Sequence, residues 1–461
     1  MQGEVQKVKI GGFKREGRGK RKQNLAESTL IKGGIMAEKL AINGGERLIS
    51  EGFIKPWPPI DEIDRKYVLE SLQQTNHAFG PNCRAFEKEF AQWNGNKYAI
   101  TTNSGTAALH MAVAACDCSA GDQVIVPAYS WSSSATCVLH HNCIPVFVDI
   151  DFDTMNIDTK KIEDAITEKT KAIIVVHLHG LAVNMDEVLK IAKKYHLKVI
   201  EDCCQAHGAE FKGKKVGLWG DCAAFSFNQN KCLCSGEGGM LVTDNEEIYK
   251  KALMLWSFGE TRTPFEKRDY HAYALGWMYR NNDLTAAFGR AQLTKLDRYL
   301  EIQKQNASAL TEELKGTKGL ILPYEPENHK HNWYNYTIRL VPEEFGWKGN
   351  LQKFRNAVMK AIQAEGANVS VWQNFILPRM TVFQAKNAYG NGCPWSCQYS
   401  KPVTYDPDAY IVAQRHTDTH FGMTEPLRAP NGPEVAVLVG KAIKKVINNI
   451  DSLDIEKLGS N

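Results

Sequence analysis

From about Ile60 onward the apolar positions along the chain switch between two spacings. Ile60 to Gln74 repeats at helical intervals, and Thr106 to Ala115 does the same directly after a glycine. Gln123–Pro127 and Pro145–Ile150 are short and β-branched, with a helical stretch between them. Further strands are expected at Ala172–His177, Lys198–Glu201, Ala223–Phe227 and Met240–Thr243, and the helical Met185–Tyr195 separates the first two. This alternation predicts an α/β fold with a mostly parallel sheet between helices.

A long charged amphipathic stretch, Leu293–Leu314, reads as a connecting helix. The pattern then changes. Tyr334–Leu340 reads as a strand, and Leu351–Glu365 and Glu434–Ile450 as helices, which together predict a smaller α+β unit. Between Gly366 and Pro426 the chain is rich in aromatics, Gly and Pro without a clear period, so loop is expected there. The expected division is a basic tail over 1–35, a large domain over 36–300 and a small C-terminal domain over 301–461.

Composition adjusts this picture in three places. The 461 residues, 43% of them apolar, are enough to bury a substantial core. The longest apolar runs fall far short of the roughly 20 residues that span a bilayer, and no apolar secretion segment opens the chain, so a cytoplasmic protein is expected. The net charge of +4 hides an asymmetry, because residues 1–35 carry nine Lys/Arg against three Asp/Glu. That run lacks the interleaved aromatics of a single-strand nucleic-acid binder and reads as a solvated, disordered tail. The twelve cysteines lie mostly in apolar stretches and lack the C-x-x-C spacing of zinc sites, so free thiols and no metal are expected.

Four clusters carry candidate chemistry. In Phe225-Ser226-Phe227-Asn228-Gln229-Asn230-Lys231, followed by Gly236-Glu237-Gly238-Gly239, a lysine stands just past an apolar strand and ahead of a glycine-rich turn. Desolvation there would lower its pKa toward a neutral nucleophile. Taken alone, such a lysine reads as a surface charge. The second cluster, Glu201-Asp202-Cys203-Cys204-Gln205-Ala206-His207, places an acid at the carboxyl end of a strand, where open parallel sheets bind ligands. Asp202 there suits either a protonated ring nitrogen or a helix N-cap, and His207 reads as locally packed.

The third cluster, Thr101-Thr102-Asn103-Ser104-Gly105-Thr106, is a small-residue turn leading into a helix, whose free N–H groups attract an anion. Without the others it is only a helix start. The fourth, Pro127-Ala128-Tyr129-Ser130-Trp131, follows a strand directly and offers an aromatic face, although a tryptophan in isolation reads as core. An amine, a carboxylate, an anion site and a flat face are together what pyridoxal 5'-phosphate (PLP) demands.

In this order the residues resemble the DegT/StrS family of sugar aminotransferases, a branch of the fold-type-I PLP enzymes, over roughly Leu40 to Leu453. The serine five residues before the lysine, the Gly-Glu-Gly-Gly after it and the Asp-x-x-Gln upstream carry the resemblance. It implies Lys231 as Schiff-base lysine and proton shuttle, Asp202 at the ring nitrogen and Gln205 at the phenolic oxygen. It further implies Trp131 stacked on the ring, and Gly105, Thr106 and Ser226 at the phosphate. Family members are homodimers with shared active sites, so a homodimer is implied as well.

One departure stands out. Many relatives carry Gly-Tyr-Asn-Tyr-Arg, whose asparagine reaches the neighbouring subunit's phosphate; here the stretch is Gly276-Trp277-Met278-Tyr279-Arg280, and a methionine cannot donate that bond. Arg280 or Asn281 is expected to take over. The resemblance implies ping-pong transfer, through pyridoxamine phosphate, of an amino group from glutamate or glutamine to a keto-sugar or keto-cyclitol. A scyllo-inosose-like acceptor is the expectation nearest to the residues around Lys231, with Trp372, Gln373, His77 and His179 as acceptor contacts. A PLP-dependent sugar dehydratase would carry histidine in place of Lys231. A regulatory protein using its basic tail is the remaining alternative.

Overall fold

The computed structural model describes residues 38–261 and 270–460. The basic stretch 1–35 lies outside them. The segment 38–460 is built around one seven-stranded sheet. In chain order its strands are β1 (Tyr98–Thr102), β2 (Gln123–Pro127), β3 (Ile144–Val148), β4 (Thr170–Val176), β5 (Lys198–Asp202), β6 (Cys222–Ser226) and β7 (Gly239–Thr243). They lie in the order β1-β7-β6-β5-β4-β2-β3. Only β7 runs against its neighbours; the five strands from β6 across to β3 are mutually parallel.

Successive strand residues feed two separate cores, as the period of two requires. Ile100, Val124, Val126, Ile174, Ile200, Ala224 and Leu241 pack on one face. Ala99, Ile125, Ile173, Val175, Val199, Phe225 and Val242 pack on the other. The helices Gly105–Ala115 and Ser133–His140 cover the first face, and Pro81–Asn94 and Met185–Tyr195 the second.

A three-stranded antiparallel sheet of Leu320–Ile321, Tyr336–Leu340 and His420–Met423 forms a third core with the helices Leu296–Leu314, Leu351–Ala364 and Pro433–Asn448. Each core draws on distant stretches of chain: Leu40 and Ile49 join the third, whereas Ile376, Phe383, Tyr405 and Ala413 join the first.

The expected strands and helices form, with shifts of one or two residues at their ends. Three features differ. Thr101 and Thr102, read as a turn, are the last residues of β1, paired with Met240 and Gly239. The stretch read as one helix from Leu293 starts at Leu296, because Leu293 closes the preceding helix Asp283–Leu293. The region 366–426, read as loop, contains the helix Ile411–Thr419 and the strand His420–Met423. That strand, His-Phe-Gly-Met, is too short to show a period of its own and exists through its pairing with Tyr336–Leu340. No helix of the described residues is long and apolar enough to cross a membrane.

Candidate active site

The carboxyl ends of β5 and β6 open on a cavity of about 480 Å³. Seven of the eight residues expected at a PLP site stand in its wall: Gly105, Thr106, Trp131, Asp202, Gln205, Ser226 and Lys231.

Strand parity puts Asp202 on the cavity side. Ile200 and Asp202 share one face of β5, and Glu201 points to the other. The buried Asp202 carboxylate accepts from Ser134 Oγ at 2.7 Å and from the Cys204 amide at 3.1 Å, and Ser134 is in turn 2.7 Å from Ser130 Oγ. Three residues on, Gln205 accepts from the His179 amide through Oε1 at 2.8 Å. Its NH2 is therefore the end left to donate into the cavity.

The helix Gly105–Ala115 begins at the cavity. Ser104 is its N-cap, accepting from the Ala107 amide at 3.1 Å, which leaves the Gly105 and Thr106 amides without helical acceptors. The residue at 105 must be glycine, because a Cβ there would lie 2.8 Å from Cys204 Sγ and 2.8 Å from Ser226 Cβ. The close approach brings the positive end of the helix beside Ser226.

Lys231 sits in the loop 227–238, which is pinned from several directions. Within it, the Lys231 amide donates to Asn228 O and the Ser235 amide to Phe227 O, both at 2.8 Å. From outside, Trp57 Nε1 donates to Lys231 O at 3.1 Å and Arg428 Nη2 to Asn230 O at 2.8 Å. The Lys231 ammonium lies 5.0 Å from the centre of the Tyr334 ring. Burial pulls its pKa down, as expected, but Tyr334, Cys204 and Asp202 together outweigh that pull, so the pKa lies above the ordinary lysine value. The expectation of a lowered pKa fails because the surrounding groups are anionic when ionised.

Trp131 is 54% exposed and tilts toward Trp372, with ring centroids 6.2 Å apart, at the mouth of the cavity. Arg280 is not in the wall. Its backbone bridges Thr102, and its guanidinium lies over the Phe258 ring, outside the cavity of its own chain. Met278 is half-exposed beside it.

Of the expected acceptor contacts only Trp372 lines the cavity. His179 is buried behind it, with ring centroids 5.1 Å apart, and burial holds its pKa well below the ordinary value. Gln373 and His77 lie elsewhere. Gln229 donates to Trp57 O rather than into the cavity. His207 is packed against Phe225 and Phe227, its pKa pushed down to about 3 by burial.

Sequence reasoning missed a whole side of the cavity. Trp57, Tyr334, Asn335, Asn368, Glu425 and Arg428 come from outside the large sheet. No motif marks them, and only the fold assembles them.

Among the described residues, His177, Glu201 and Cys203 are the group close enough to share a metal ion. The ligand atoms of Glu201 and His177 are already engaged. The Glu201 carboxylate accepts from His177 Nε2 and from the amides of Gly217, Trp219 and Gly220, while His177 Nδ1 accepts from the Val183 amide.

Residues 58–407 match the DegT/DnrJ/EryC1/StrS aminotransferase family. The chain belongs to that family. It is 37% identical to the GDP-perosamine synthase of Caulobacter vibrioides over 311 residues, 67% of this chain and 81% of that one. It is 36% identical to a putative L-glutamine:3-amino-2,3-dideoxy-scyllo-inosose aminotransferase of Micromonospora echinospora over 346 residues, 72% of this chain and 78% of that one. Among solved structures it superposes on 3-amino-5-hydroxybenzoic acid synthase with a TM-score of 0.76 at 25% identity, covering 86% of this chain and 99% of that one. The protein is thus a PLP-dependent aminotransferase of fold type I.

The residues present fit the cofactor. The cavity offers a buried amine, a buried carboxylate already held in place by Ser134 and Cys204, and a helix start that a Cβ at 105 would obstruct.

Proposed function

We propose that this aminotransferase moves an amino group from glutamate or glutamine to a keto-sugar or keto-cyclitol, in two half-reactions that share one cavity. The observation that carries the acceptor class is the polar lining of the cavity. Asn228, Asn230, Asn335, Asn368 and Ser370 line it with polar groups, Glu237 and Glu425 accept from Asn228 and Asn368, and Trp131 and Trp372 add flat apolar faces. Such a wall matches a ring bearing several hydroxyl groups. The relatives named for perosamine and inosose chemistry support the same class.

PLP supplies an electron sink that lets the carbon attached to the migrating nitrogen release its proton. Lys231 would hold the cofactor and, as a free amine, would carry that proton. Asp202 keeps the ring nitrogen protonated, with Ser134 and the Cys204 amide fixing its carboxylate. Gln205 would donate to the phenolic oxygen, and Trp131 would cover one ring face. Gly105, Thr106 and Ser226 take the phosphate.

A homodimer completes the site in this reading. Phe258, Tyr270, Tyr273, Leu275 and Met278 are exposed, and the strand end they flank is tied by the Asn103 amide to Tyr279 O, two residues before Gly105. Arg280 belongs to this surface and would serve the partner's phosphate.

The test is a donor and acceptor panel. Glutamine and glutamate are each incubated with the purified enzyme while cofactor absorbance is followed; keto-inositols and nucleotide-linked keto-sugars are then offered, and products are weighed by mass spectrometry. Conversion by either donor, followed by amination of a polyhydroxylated ketone, is expected. Donor conversion with amination of none of these ketones would overturn the acceptor class.

A further inference from the structure

His179 holds a backbone conformation that residues with side chains rarely adopt. Its φ of 55° lies in the left-handed region, inside the short turn Leu178–Gly180 behind the cavity. Strain of this kind persists where the surrounding structure enforces it, and it gathers at functional sites. Here it lets one residue grip two amide side chains of the cavity wall by opposite ends. The His179 main-chain N–H donates to Gln205 Oε1 at 2.8 Å, which leaves Gln205 its NH2 to offer. On its other side Asn335 Nδ2 lies 3.3 Å from His179 Nδ1 and 3.1 Å from Thr337 Oγ1, and the Asn335 main-chain N–H donates to His179 O at 3.3 Å. Burial keeps the His179 ring neutral, and a neutral ring facing an NH2 accepts through Nδ1. The NH2 of Asn335 is therefore spent, and Oδ1 is the end left over.

Asn335 is 3% exposed, yet it lines the cavity. Its amide lies against Gly422, where a Cβ would stand 2.6 Å from Oδ1 and 2.9 Å from Nδ2. The main chain of Gly422 is bonded in both directions to Ser370, at 2.8 and 3.0 Å, and Ser370 and Trp372 belong to the same wall. Among the described residues no donor reaches Asn335 Oδ1. An oxygen so nearly buried calls for a hydrogen. It can only accept one, so it bonds a hydroxyl and not the bare oxygens of a phosphate or a carboxylate. Glu237 and Glu425 stand in the same wall, and like charge there disfavours an acceptor that carries a diphosphate. An amino donor offers such a hydrogen only through a side-chain amide, whereas a polyhydroxylated ring offers several.

We infer that Asn335 is a specificity-determining residue for an uncharged cyclic polyol ketone, its Oδ1 receiving the hydrogen of one ring hydroxyl, and that His179 is the positioning residue that keeps the amide turned that way. The inference rests on the polyhydroxylated acceptor proposed above. It gives the two amides held by His179 opposite tasks: Gln205 donates, and Asn335 accepts.

The test uses the cofactor-loaded enzyme, with 2-keto-myo-inositol and its monodeoxy derivatives as acceptors and myo-inositol as a ligand that cannot react. Asn335→Leu, close in shape but without polar atoms, should lower kcat/KM for 2-keto-myo-inositol by about tenfold, through KM more than kcat, and weaken myo-inositol by a similar factor. The donor half-reactions with glutamine and glutamate should change far less. One monodeoxy acceptor should lose about tenfold with wild type and nothing further with Asn335→Leu, the coupling that marks a direct contact. Fluorine at that position accepts but cannot donate, and should do no better than hydrogen. Asn335→Asp, which keeps an accepting oxygen, should lie closer to wild type. His179→Phe keeps a ring against Trp372 but loses Nδ1, and should show a smaller loss centred on the same hydroxyl. Thermal melts identify the variants that fold.

Equal losses on every monodeoxy acceptor, with no position coupled to Asn335, overturn the inference, and so does a loss confined to the donor half-reactions. A fluorinated acceptor that matches its parent overturns it as well, because the amide would then be donating. If the enzyme binds myo-inositol through Asn335 but aminates no ketone, the proposed reaction fails and the hydroxyl contact stands. If it neither binds myo-inositol nor aminates 2-keto-myo-inositol, the inference falls, and the proposed function is left to the nucleotide-linked keto-sugars.

Discussion

Glu201 and Asp202 are adjacent on β5, both buried, both acidic, and they face opposite surroundings. On its face of the sheet Glu201 meets four donors: His177 Nε2 and the amides of Gly217, Trp219 and Gly220. Burial alone would raise its pKa, but the hydrogen bond and charge of His177 and the Gly220 and Gly217 amides outweigh that and hold it below the ordinary value. Asp202, one residue later and on the other face, accepts among the described residues from Ser134 and the Cys204 amide, and it borders the cavity. A carboxylate whose lone pairs are used up can only hold the fold together. One with capacity left on a cavity wall can act on a ligand.

The largest effect is expected on the cavity side itself: Lys231→Ala should lower transamination by on the order of 10⁵-fold while leaving the melting temperature nearly unchanged. Either half-reaction, read by cofactor absorbance, measures it.

The paired substitution at β5 is the direct test. Asp202→Asn should cost roughly 10³-fold in rate, through lost electrostatic stabilisation, with little change in stability. Glu201→Gln should do the reverse, costing about 3–5 kcal/mol of stability by breaking a fully buried pair, with the rate per folded molecule changed only slightly. Urea melts and half-reaction rates on the same preparations separate the two, and if both variants lost stability equally the functional contrast would disappear.

A smaller effect sharpens the picture of how Asp202 is held. Ser134→Ala removes one 2.7 Å hydrogen bond to it, worth about 1 kcal/mol or roughly a fivefold loss of rate. A loss of stability with unchanged rate would place Ser134 on the structural side.

The mildest lever is pH. Burial pushes the pKa values of His110, His207, His331 and His420 down to about 3, from an ordinary 6.5. Between those values the unfolded chain binds protons that the folded one does not. Stability is therefore complete above about pH 6.5 and falls as pH drops toward 3, by up to about 1.4 kcal/mol per pH unit for each histidine. Glu201, held below its ordinary 4.5, adds to the slope only at lower pH. Glu201→Gln should remove that lower limb, and melts continued from pH 8 down to about pH 3 would show it.

Legibility in the sequence followed the range of the signal. The β5 and β6 motifs were readable because an acid, a glutamine and a lysine at strand ends are local patterns, and Asp202, Gln205, Ser226 and Lys231 do stand in one wall. The strand His420–Met423 was not readable, since its partner is some 80 residues away. The Lys231 pKa was misjudged for a related reason: burial can be guessed from neighbours in the chain, but the anionic groups that outweigh it include Tyr334, from a distant segment.

By itself, then, the order of residues settled the α/β architecture, the family and the cofactor chemistry, because strand period, helix period and short motifs are properties of neighbouring residues. The tertiary structure alone decided which carboxylate of the Glu201-Asp202 pair meets the cavity environment built around it. It also decided that Arg280 stays outside that cavity, and that Trp57, Tyr334 and Arg428, each more than a hundred residues from Lys231 in the chain, close round the lysine. Those contacts arise only when sheets pack, and packing is long-range: nothing in a short window of sequence encodes which distant side chain will arrive.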